Sequence, residues 1–438
     1  MSRWAAVAVF LFAWTLTTHG KVSVSGDEPH YLLITHSIVV DGDLDVANNY
    51  AQGDGRFFGS PSLEMEIHAL PARSGHIRPI HDIGLAVALV PFYVVAHQLA
   101  SWPSDAVLKR FRTDHGLLTY QIIGLFLIAL TVTGLVMVGD ALVASGLTSR
   151  TKATLLMSAI GVSPPVLSHS FLVFPEALGL LATSVVVWFS LKPVGPADRI
   201  LLMVIVFALG LLPWSHHKYL LYVPGLLFLI AWMRRSFLQT LSGRDLALAF
   251  ALCAAPPAGL LAWSQHEWGT FGGALTGALT SNTMPLSWEM FARGAPGLWI
   301  DRQQGLLAYA PMYWIVPVCW IVARRSTWPF LVPLVLLYVP AAAFNLGWWG
   351  GFSPAARYLV PAIPLFAVVI GSALRYRFIS VLAIVLLVPQ LVIDGIVWRH
   401  PMHLWPDGRV NRALEASGPA GRAYARTLPL FQDEFSPR

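Results

Sequence analysis

The 438-residue chain is 56% hydrophobic and only 12% charged, whereas about 25% of the residues in an average soluble domain are charged. This composition excludes a soluble enzyme, a disordered chain and a coiled coil. The formal net charge is +6, but the basic residues stand in short pairs between apolar runs, which argues against a nucleic-acid partner. Cys253 and Cys319 lie inside apolar runs, so we predict reduced core thiols and neither a disulfide framework nor a zinc site built on them.

Long apolar runs recur along the chain and predict an all-α polytopic membrane protein. A spanning helix needs roughly 20 mostly apolar residues. No A-x-A cleavage site follows the first run, so we expect it to stay as an uncleaved helix and not to act as a signal peptide. The runs without Asp, Glu, Lys or Arg predict about eleven transmembrane helices, at residues 4–20, 115–139, 153–175, 177–191, 200–217, 219–233, 246–266, 303–323, 326–356, 358–374 and 378–393.

The distribution of basic residues predicts the side of the membrane on which each loop lies. Short cytoplasmic loops carry an excess of Lys and Arg. We predict that the further apolar run 83–104 is a juxtamembrane helix that does not cross, although Lys109, Arg110 and Arg112 then lie outside, against the rule. With that assignment the cytoplasmic side collects Arg3, Arg150, Lys152, Lys192, Arg199, Arg234, Arg235, Arg244, Arg324, Arg325, Arg375 and Arg377.

The first outer loop, residues 19–114, opens with two adjacent acids, Asp27 and Glu28, just before Pro29. Carboxylates beside hydrocarbon are costly unless they are wet or paired, which favours a functional site. The same spacing is equally typical of a helix start, because Asp before Pro is a common N-terminal signal. Both interpretations stay open from spacing alone. The apolar stretch 31–40 predicts a second juxtamembrane helix.

Two further acidic positions fall on the predicted outer face. Glu176 lies between two spans and is either an acid favoured by the dipole at a helix N-terminus or a second carboxylate facing the first loop. His81 and Asp82 precede the run 83–104 and have the same two interpretations. A neighbouring His–Asp pair does not by itself indicate catalysis.

Cations stand at the outer starts of two later spans. Lys218 and Arg357 are each followed by Tyr-Leu. A single cation at a membrane boundary is usually an anchor, but two on the face where positive charge is not favoured need an anionic partner. Arg supplies a rigid fork suited to phosphate, and Lys supplies a point charge. Arg302 is a third outer cation, unless Asp301 simply pairs with it.

Carboxylates from early in the chain and cations from late in it therefore fall on one predicted face. That combination suits transfer of a group from a lipid phosphate, since the cations stabilise the departing phosphate and a carboxylate removes a proton from the acceptor hydroxyl. The alternative is a lipid-linked glycan flippase or an anion transporter, whose site should lie near the bilayer midplane.

The order of these motifs resembles that of the GT-C glycosyltransferases, which use polyprenyl-phosphate sugars and include the protein O-mannosyltransferases and the lipid A aminoarabinose transferases. The resemblance implies an inverting enzyme that moves a monosaccharide from a polyprenyl-phosphate donor to a hydroxyl acceptor on a glycan, lipid or protein. It also implies contact with membrane lipids and an active site on the periplasmic face of a bacterial cytoplasmic membrane. The likeness covers most of residues 1–375 and rests on 26–32, His81, 174–176, 214–219 and 350–361.

The resemblance also assigns roles to individual residues. Asp27 corresponds to the general base with Glu28 beside it, and Glu176 corresponds to a second acid that orients the acceptor or holds a metal. Metal use varies within the superfamily, so no cofactor is assigned and a divalent metal is left open. The remaining assignments are Arg357, Lys218, His217 and Arg302 at the donor phosphate, and His81, Tyr31 and Tyr358 as other pocket residues.

The predicted domain organisation has two parts. Residues 1–397 form the transmembrane catalytic domain, and residues 398–438 form a short tail on the outer face. The large soluble C-terminal domain of some GT-C enzymes has no counterpart in so short a tail. We therefore expect the loops to recognise the acceptor.

Overall fold

The computed structural model describes residues 1–19, 22, 24–274, 286–343, 347–405 and 410–431. These residues are mostly helical and include one two-stranded antiparallel sheet, Ala69–Pro71 paired with Ile77–Pro79. The predicted helical class is therefore confirmed. Outside the described residues lie parts of the predicted first outer loop, of the outer loop before Arg302, of the run 326–356 and of the tail: 20, 21, 23, 275–285, 344–346, 406–409 and 432–438.

The α-helices vary widely in length. Short 3-10 turns join several of them, at Asp54–Phe58, Leu212–Trp214, Pro311–Trp314, Trp328–Phe330, Arg357–Ala362 and Pro401–Leu404. The α-helices are Arg3–His19, Glu28–Val40, Ala47–Gln52, Gly84–Ala100, Asp105–Arg110, His115–Ala144, Arg150–Val162, Val166–His169, Glu176–Leu191, Asp198–Leu211, Tyr219–Met233, Arg235–Leu238, Gly243–Trp268, Trp288–Ile300, Leu306–Tyr309, Ile315–Thr327, Leu331–Ala343, Ile363–Ala373, Arg377–Arg399, Arg412–Ala416 and Gly418–Thr427.

Within the described ranges, four helical segments are long and apolar enough to cross a membrane: His115–Ala144, Gly243–Trp268, Pro311–Ala343 and Arg377–Arg399. This composition indicates a membrane protein. Each of the eleven predicted runs overlaps at least one helix, and the number of crossings stays a prediction. Shorter apolar helices cover Arg3–Thr18, Gly84–Ala100, Glu176–Leu191, Tyr219–Met233 and Arg357–Ala373.

The predicted span 153–175 is broken by proline. The helix Arg150–Val162 ends before Ser163, which is followed by Pro164 and Pro165. Proline lacks the backbone N–H that continues a helix and disfavours helical backbone in the residue before it. The chain then forms only the single-turn helix Val166–His169 before the next helix starts at Glu176. The segment after this single-turn helix includes Phe174, which contacts the site described below.

Two apolar helices join two charged groups of residues. The helix Glu176–Leu191 has 16 residues and the helix Tyr219–Met233 has 15, so at 1.5 Å per residue they are about 24 and 22 Å long. Glu176 is the first residue of one helix, and Lys218 directly precedes the other. Nζ of Lys218 lies 2.5 Å from Oε1 of Glu176. Charged side chains therefore meet at one end of both helices.

The opposite ends of the same two helices meet in a second charged group. Lys192 follows the first helix, Arg234 follows the second, and both hydrogen-bond Asp198. Arg234 also donates from Nε to the carbonyl oxygen of Phe189 at 2.7 Å. Apolar helices with charged residues at both ends are typical of segments that cross a bilayer.

Close packing of the two helices requires a glycine. A Cβ atom on Gly179 would lie 2.4 Å from the hydroxyl oxygen of Tyr219, which donates to the carbonyl of Pro175 at 3.0 Å.

Cys253 and Cys319 are free and buried, which confirms the prediction of reduced core thiols.

Candidate functional site

Arg357 lies at the centre of the candidate site and is only 5% exposed. Its Nη1 is 3.0 Å from Oδ2 of Asp27, and its Nε is 3.0 Å from Oε1 of Glu176. Nη1 also donates to the carbonyl oxygen of Gly350 at 2.9 Å, and the guanidinium lies 4.1 Å from the centre of the Phe174 ring. One arginine thus joins two acids from distant parts of the sequence.

Lys218 adds a second cation to the same acid. Its Nζ lies 2.5 Å from Oε1 of Glu176, the atom that Arg357 also contacts, and 4.8 Å from the centre of the Tyr358 ring. We call Asp27, Glu176, Lys218 and Arg357 the charged cluster. Its two positive and two negative side chains balance, which is how buried charges are tolerated.

Unusual backbone geometry brings Asp27 and Arg357 together. Gly26 has a φ of +56°, and a Cβ atom there would lie 2.5 Å from the carbonyl oxygen of Phe352. Only glycine fits this approach without strain. On the other side Ala356, with a φ of +59°, donates from its backbone nitrogen to the carbonyl of Gln304 at 2.9 Å. The first loop and the segment before Arg357 are therefore held against each other.

The two acids of the charged cluster differ in exposure. The side chain of Asp27 is 29% exposed, whereas that of Glu176 is fully buried. Burial alone would raise the pKa of Asp27, but the charge and hydrogen bond of Arg357, together with the nearby rings of His81 and His68, lower that pKa to about 2. Asp27 is therefore ionised at neutral pH and is the more accessible of the two acids.

Glu176 has an unused oxygen. Oε1 accepts from both cations, but Oε2 is buried and has no hydrogen-bond partner within the part of the chain that the structure describes. Buried polar atoms in native proteins are nearly always satisfied. Oε2 can therefore accept a hydrogen bond from a group of a bound ligand.

Glu28 lies apart from the charged cluster. Its Oε1 accepts from the hydroxyl of Tyr120 at 3.0 Å and from the backbone N–H of Val173 at 2.8 Å, and Oε2 accepts from the backbone N–H of Ser25 at 3.1 Å. Burial raises the pKa of Glu28 to about 7 despite these bonds. These contacts join three segments, which is a structural role.

The other residues predicted for the site fall in two places. His217 pairs with Asp82 at 2.6 Å beside the cluster, and Tyr358 borders Lys218 as described above. Arg302 is elsewhere, since its Nη2 donates to the carbonyl of Leu428 at 3.2 Å. Arg302 therefore anchors the C-terminal segment in this structure and is not part of the charged cluster.

His81 and Tyr31 lie on the side of the cluster formed by the first loop. Their ring centres are 4.9 Å apart, and Nε2 of His81 is 3.0 Å from Nδ1 of His68. Sequence reasoning missed His68, as it missed Phe174 as a platform for Arg357. The two short strands between residues 68 and 81 each consist of three residues and end in proline. Their pairing is the one signal that could have placed these histidines together.

An apolar groove lies among three of the helices. It encloses about 550 Å³ between the helices Asp198–Leu211, Tyr219–Met233 and Gly243–Trp268. In sequence, Pro213 and Leu220 of its lining flank the start of the helix Tyr219–Met233, and Leu238 and Leu246 follow the end of that helix. The groove is also lined by Leu202, Val206, Val223, Pro224, Leu227, Ile230, Ala231, Ala249, Phe250, Cys253, Ala254 and Pro257.

Comparisons of the chain with protein-family models, with curated proteins and with solved structures gave no match.

Proposed function

We propose that the protein is a membrane glycosyltransferase that moves a monosaccharide from a polyprenyl-phosphate donor to a hydroxyl acceptor. In this proposal it acts at the outer face of a bacterial cytoplasmic membrane. The observation that carries the proposal is the contact of Arg357 with both Asp27 and Glu176, with Lys218 on the same Glu176 oxygen. A phosphate-type cation pair and a reachable carboxylate thus lie within one site.

Two features of the protein suit the phosphate and the lipid chain of such a donor. Its phosphate suits Arg357 and Lys218, because a guanidinium fork and an ammonium both bind phosphate oxygens. Its polyprenyl chain suits the apolar groove, whose lining includes Leu220, two residues after Lys218 in sequence. In this proposal the sugar of a lipid bound in this way lies beside Asp27.

Donor binding would also activate the base. The donor phosphate competes with Asp27 for Arg357, and the pKa of Asp27 rises from about 2 once that cation turns to the phosphate. Asp27 then accepts the proton of the acceptor hydroxyl, while the oxygen of that hydroxyl bonds to the anomeric carbon. The bond from that carbon to the phosphate oxygen breaks, and polyprenyl phosphate leaves on Arg357 and Lys218 with inversion at the sugar.

A transporter or flippase remains the competing proposal. Transporter sites lie near the bilayer midplane on broken helices, whereas the charged cluster lies at the first ends of two apolar helices. This position favours an enzyme that works at the membrane surface. Lipid movement without any new glycosidic bond would instead support the transporter.

Native mass spectrometry of the purified protein tests the donor site. We expect a co-purifying polyprenyl phosphate, with or without one sugar, which is lost or strongly reduced in Arg357→Lys. The exposed cation Arg110 of the first outer loop provides the control, and Arg110→Ala should keep the lipid. Bare protein, or ordinary phospholipid retained equally by all three proteins, would overturn the proposal.

A further inference from the structure

A second group of potential ligands borders the charged cluster. Asp27, His68 and His81 each offer one ligand atom, and these atoms all lie within 4.8 Å of one another. Nδ1 of His68 and Nε2 of His81 are 3.0 Å apart. Bonds of about 2.0–2.1 Å to a tetrahedral ion put ligand atoms roughly 3.3 Å apart, so the two rings need little movement to share an ion.

The β-hairpin of the first loop holds the two histidines together. His68 directly precedes the strand Ala69–Pro71, and His81 follows the strand Ile77–Pro79 by two residues. The backbone nitrogen of Ile80 donates to the carbonyl of His68 at 3.0 Å. The hairpin thus sets the separation of the two rings before any ligand arrives.

A further layer of side chains orients His68. The ring of His30 stacks on it with centres 3.6 Å apart, and Nδ1 of His30 is 2.6 Å from the hydroxyl of Tyr50. Metal-binding histidines are usually held by such neighbours.

We propose that Asp27, His68 and His81 bind one divalent transition-metal ion of the Zn²⁺ class and leave at least one coordination position open. Two imidazoles and a carboxylate are a common set of three protein ligands for a zinc site with an open position. Arg357 bonds Oδ2 of Asp27, so the ion would take the other carboxylate oxygen, and Oδ2 stays the oxygen that accepts the proton in the proposed function once Arg357 turns away.

The ion would have a consequence for the site, and this step rests on the proposed function. The charged cluster is neutral, so a bound divalent ion makes the site positive beside Arg357 and Lys218. A positive site binds a phosphate anion more tightly and stabilises the charge that develops as the phosphate leaves.

The test measures Zn²⁺ binding directly. The full chain, purified through a tag without histidine and treated with a chelator, is titrated with ZnCl₂ by calorimetry. We expect one ion per chain, at least tenfold weaker binding in His68→Ala and in His81→Ala, and unchanged binding in His76→Ala. His76 is the matched control because it lies in the same hairpin but pairs with Asp45 at 2.9 Å.

A spectroscopic probe and a folding control complete the test. Co²⁺ bound in place of Zn²⁺ should give the visible absorption of a low-coordinate site in the original chain and in His76→Ala, but not in His68→Ala. Zn²⁺ should raise the melting temperature of the original chain and leave that of His68→Ala unchanged. Equal binding by His68→Ala and the original chain, or no binding by the original chain, would overturn the site.

Failure of this proposal is distinguishable from failure of the proposed function. Zn²⁺ binding that depends on His68, in a protein with no sugar transfer, contradicts only the function. Sugar transfer that survives chelation, together with no Zn²⁺ binding, contradicts only the metal site.

Discussion

Asp27 and Glu28 are adjacent in the chain, but their carboxylates lie in different surroundings. Asp27 contacts Arg357 at 3.0 Å and is partly exposed, whereas Glu28 is fully buried between Tyr120 and the backbone of Val173. A helix that starts at residue 28 turns successive side chains by about 100°. The structure therefore separates an accessible carboxylate from one that holds the loop in place.

Asp27→Asn should lower sugar transfer by roughly 10²- to 10⁴-fold, because the amide cannot accept the proton of the acceptor hydroxyl. The melting temperature should change little, since the side chain keeps its shape. Initial rates with a polyprenyl-phosphate sugar donor measure the effect. Glu64→Gln, at an exposed acid of the same loop, is the control, and unchanged turnover in Asp27→Asn would refute the base assignment.

Glu28→Ala should act mainly on stability. It leaves the Tyr120 hydroxyl and the Val173 N–H without their buried acceptor, and each such loss costs about 1–3 kcal/mol. We expect a clearly lower melting temperature than for Asp27→Asn. Glu28→Gln, which keeps one acceptor oxygen, should lie between them. A stable Glu28→Ala protein that cannot transfer sugar would instead support the catalytic role that the resemblance implies.

Arg357→Lys should weaken use of the donor far more than use of the acceptor. Lysine keeps the positive charge but loses the fork that contacts Asp27, Glu176 and an incoming phosphate. The apparent KM should therefore rise for the donor and stay nearly constant for the acceptor. Equal effects on both substrates would indicate that Arg357 has a structural role.

Donor binding should weaken as pH rises above about 8. Burial lowers the pKa of Lys218 to about 8 in spite of Glu176 beside it, and Arg357, Asp27 and His216 are the other titratable groups that act on it. Lys218 is therefore charged below that pH and neutral above it. Donor KM measured between pH 6.5 and 9.5 should rise in the original chain and rise less in Lys218→Arg, whose guanidinium stays charged.

Filling the apolar groove should discriminate between donors by chain length. Ala254→Phe adds a ring to the lining of the cavity, which also includes Leu220 and Val223. We expect a higher KM for a long polyprenyl donor and an unchanged KM for a donor with a short lipid. Equal KM values for both donors in this variant would show that the lipid chain lies elsewhere.

The sequence allowed the members of the charged cluster to be predicted, because each stands at the edge of an apolar run. Spacing alone could not predict which of two adjacent acids faces the cluster, since that depends on where the helix after Asp27 begins; only the resemblance pointed to Asp27. Arg302 was predicted at the donor phosphate from its outer position, but it contacts the carbonyl of Leu428, a partner 126 residues away. Contacts between distant segments leave no signal in local hydropathy.

Proline interrupts one of the predicted spans. The run 153–175 is continuous in hydropathy, yet Pro164 and Pro165 end the helix before them, as proline chemistry predicts. His68 had no hydropathy signal at all. Its proximity to His81 depends on pairing between two strands of three residues each, which is too short a pattern to identify from alternation.

Lys218 and Arg357 both contact Oε1 of Glu176. Either cation can therefore turn toward an arriving anion while the other still neutralises the acid. An anion that draws one cation away leaves the buried carboxylate paired with the other, which avoids the high electrostatic energy of an unpaired buried charge.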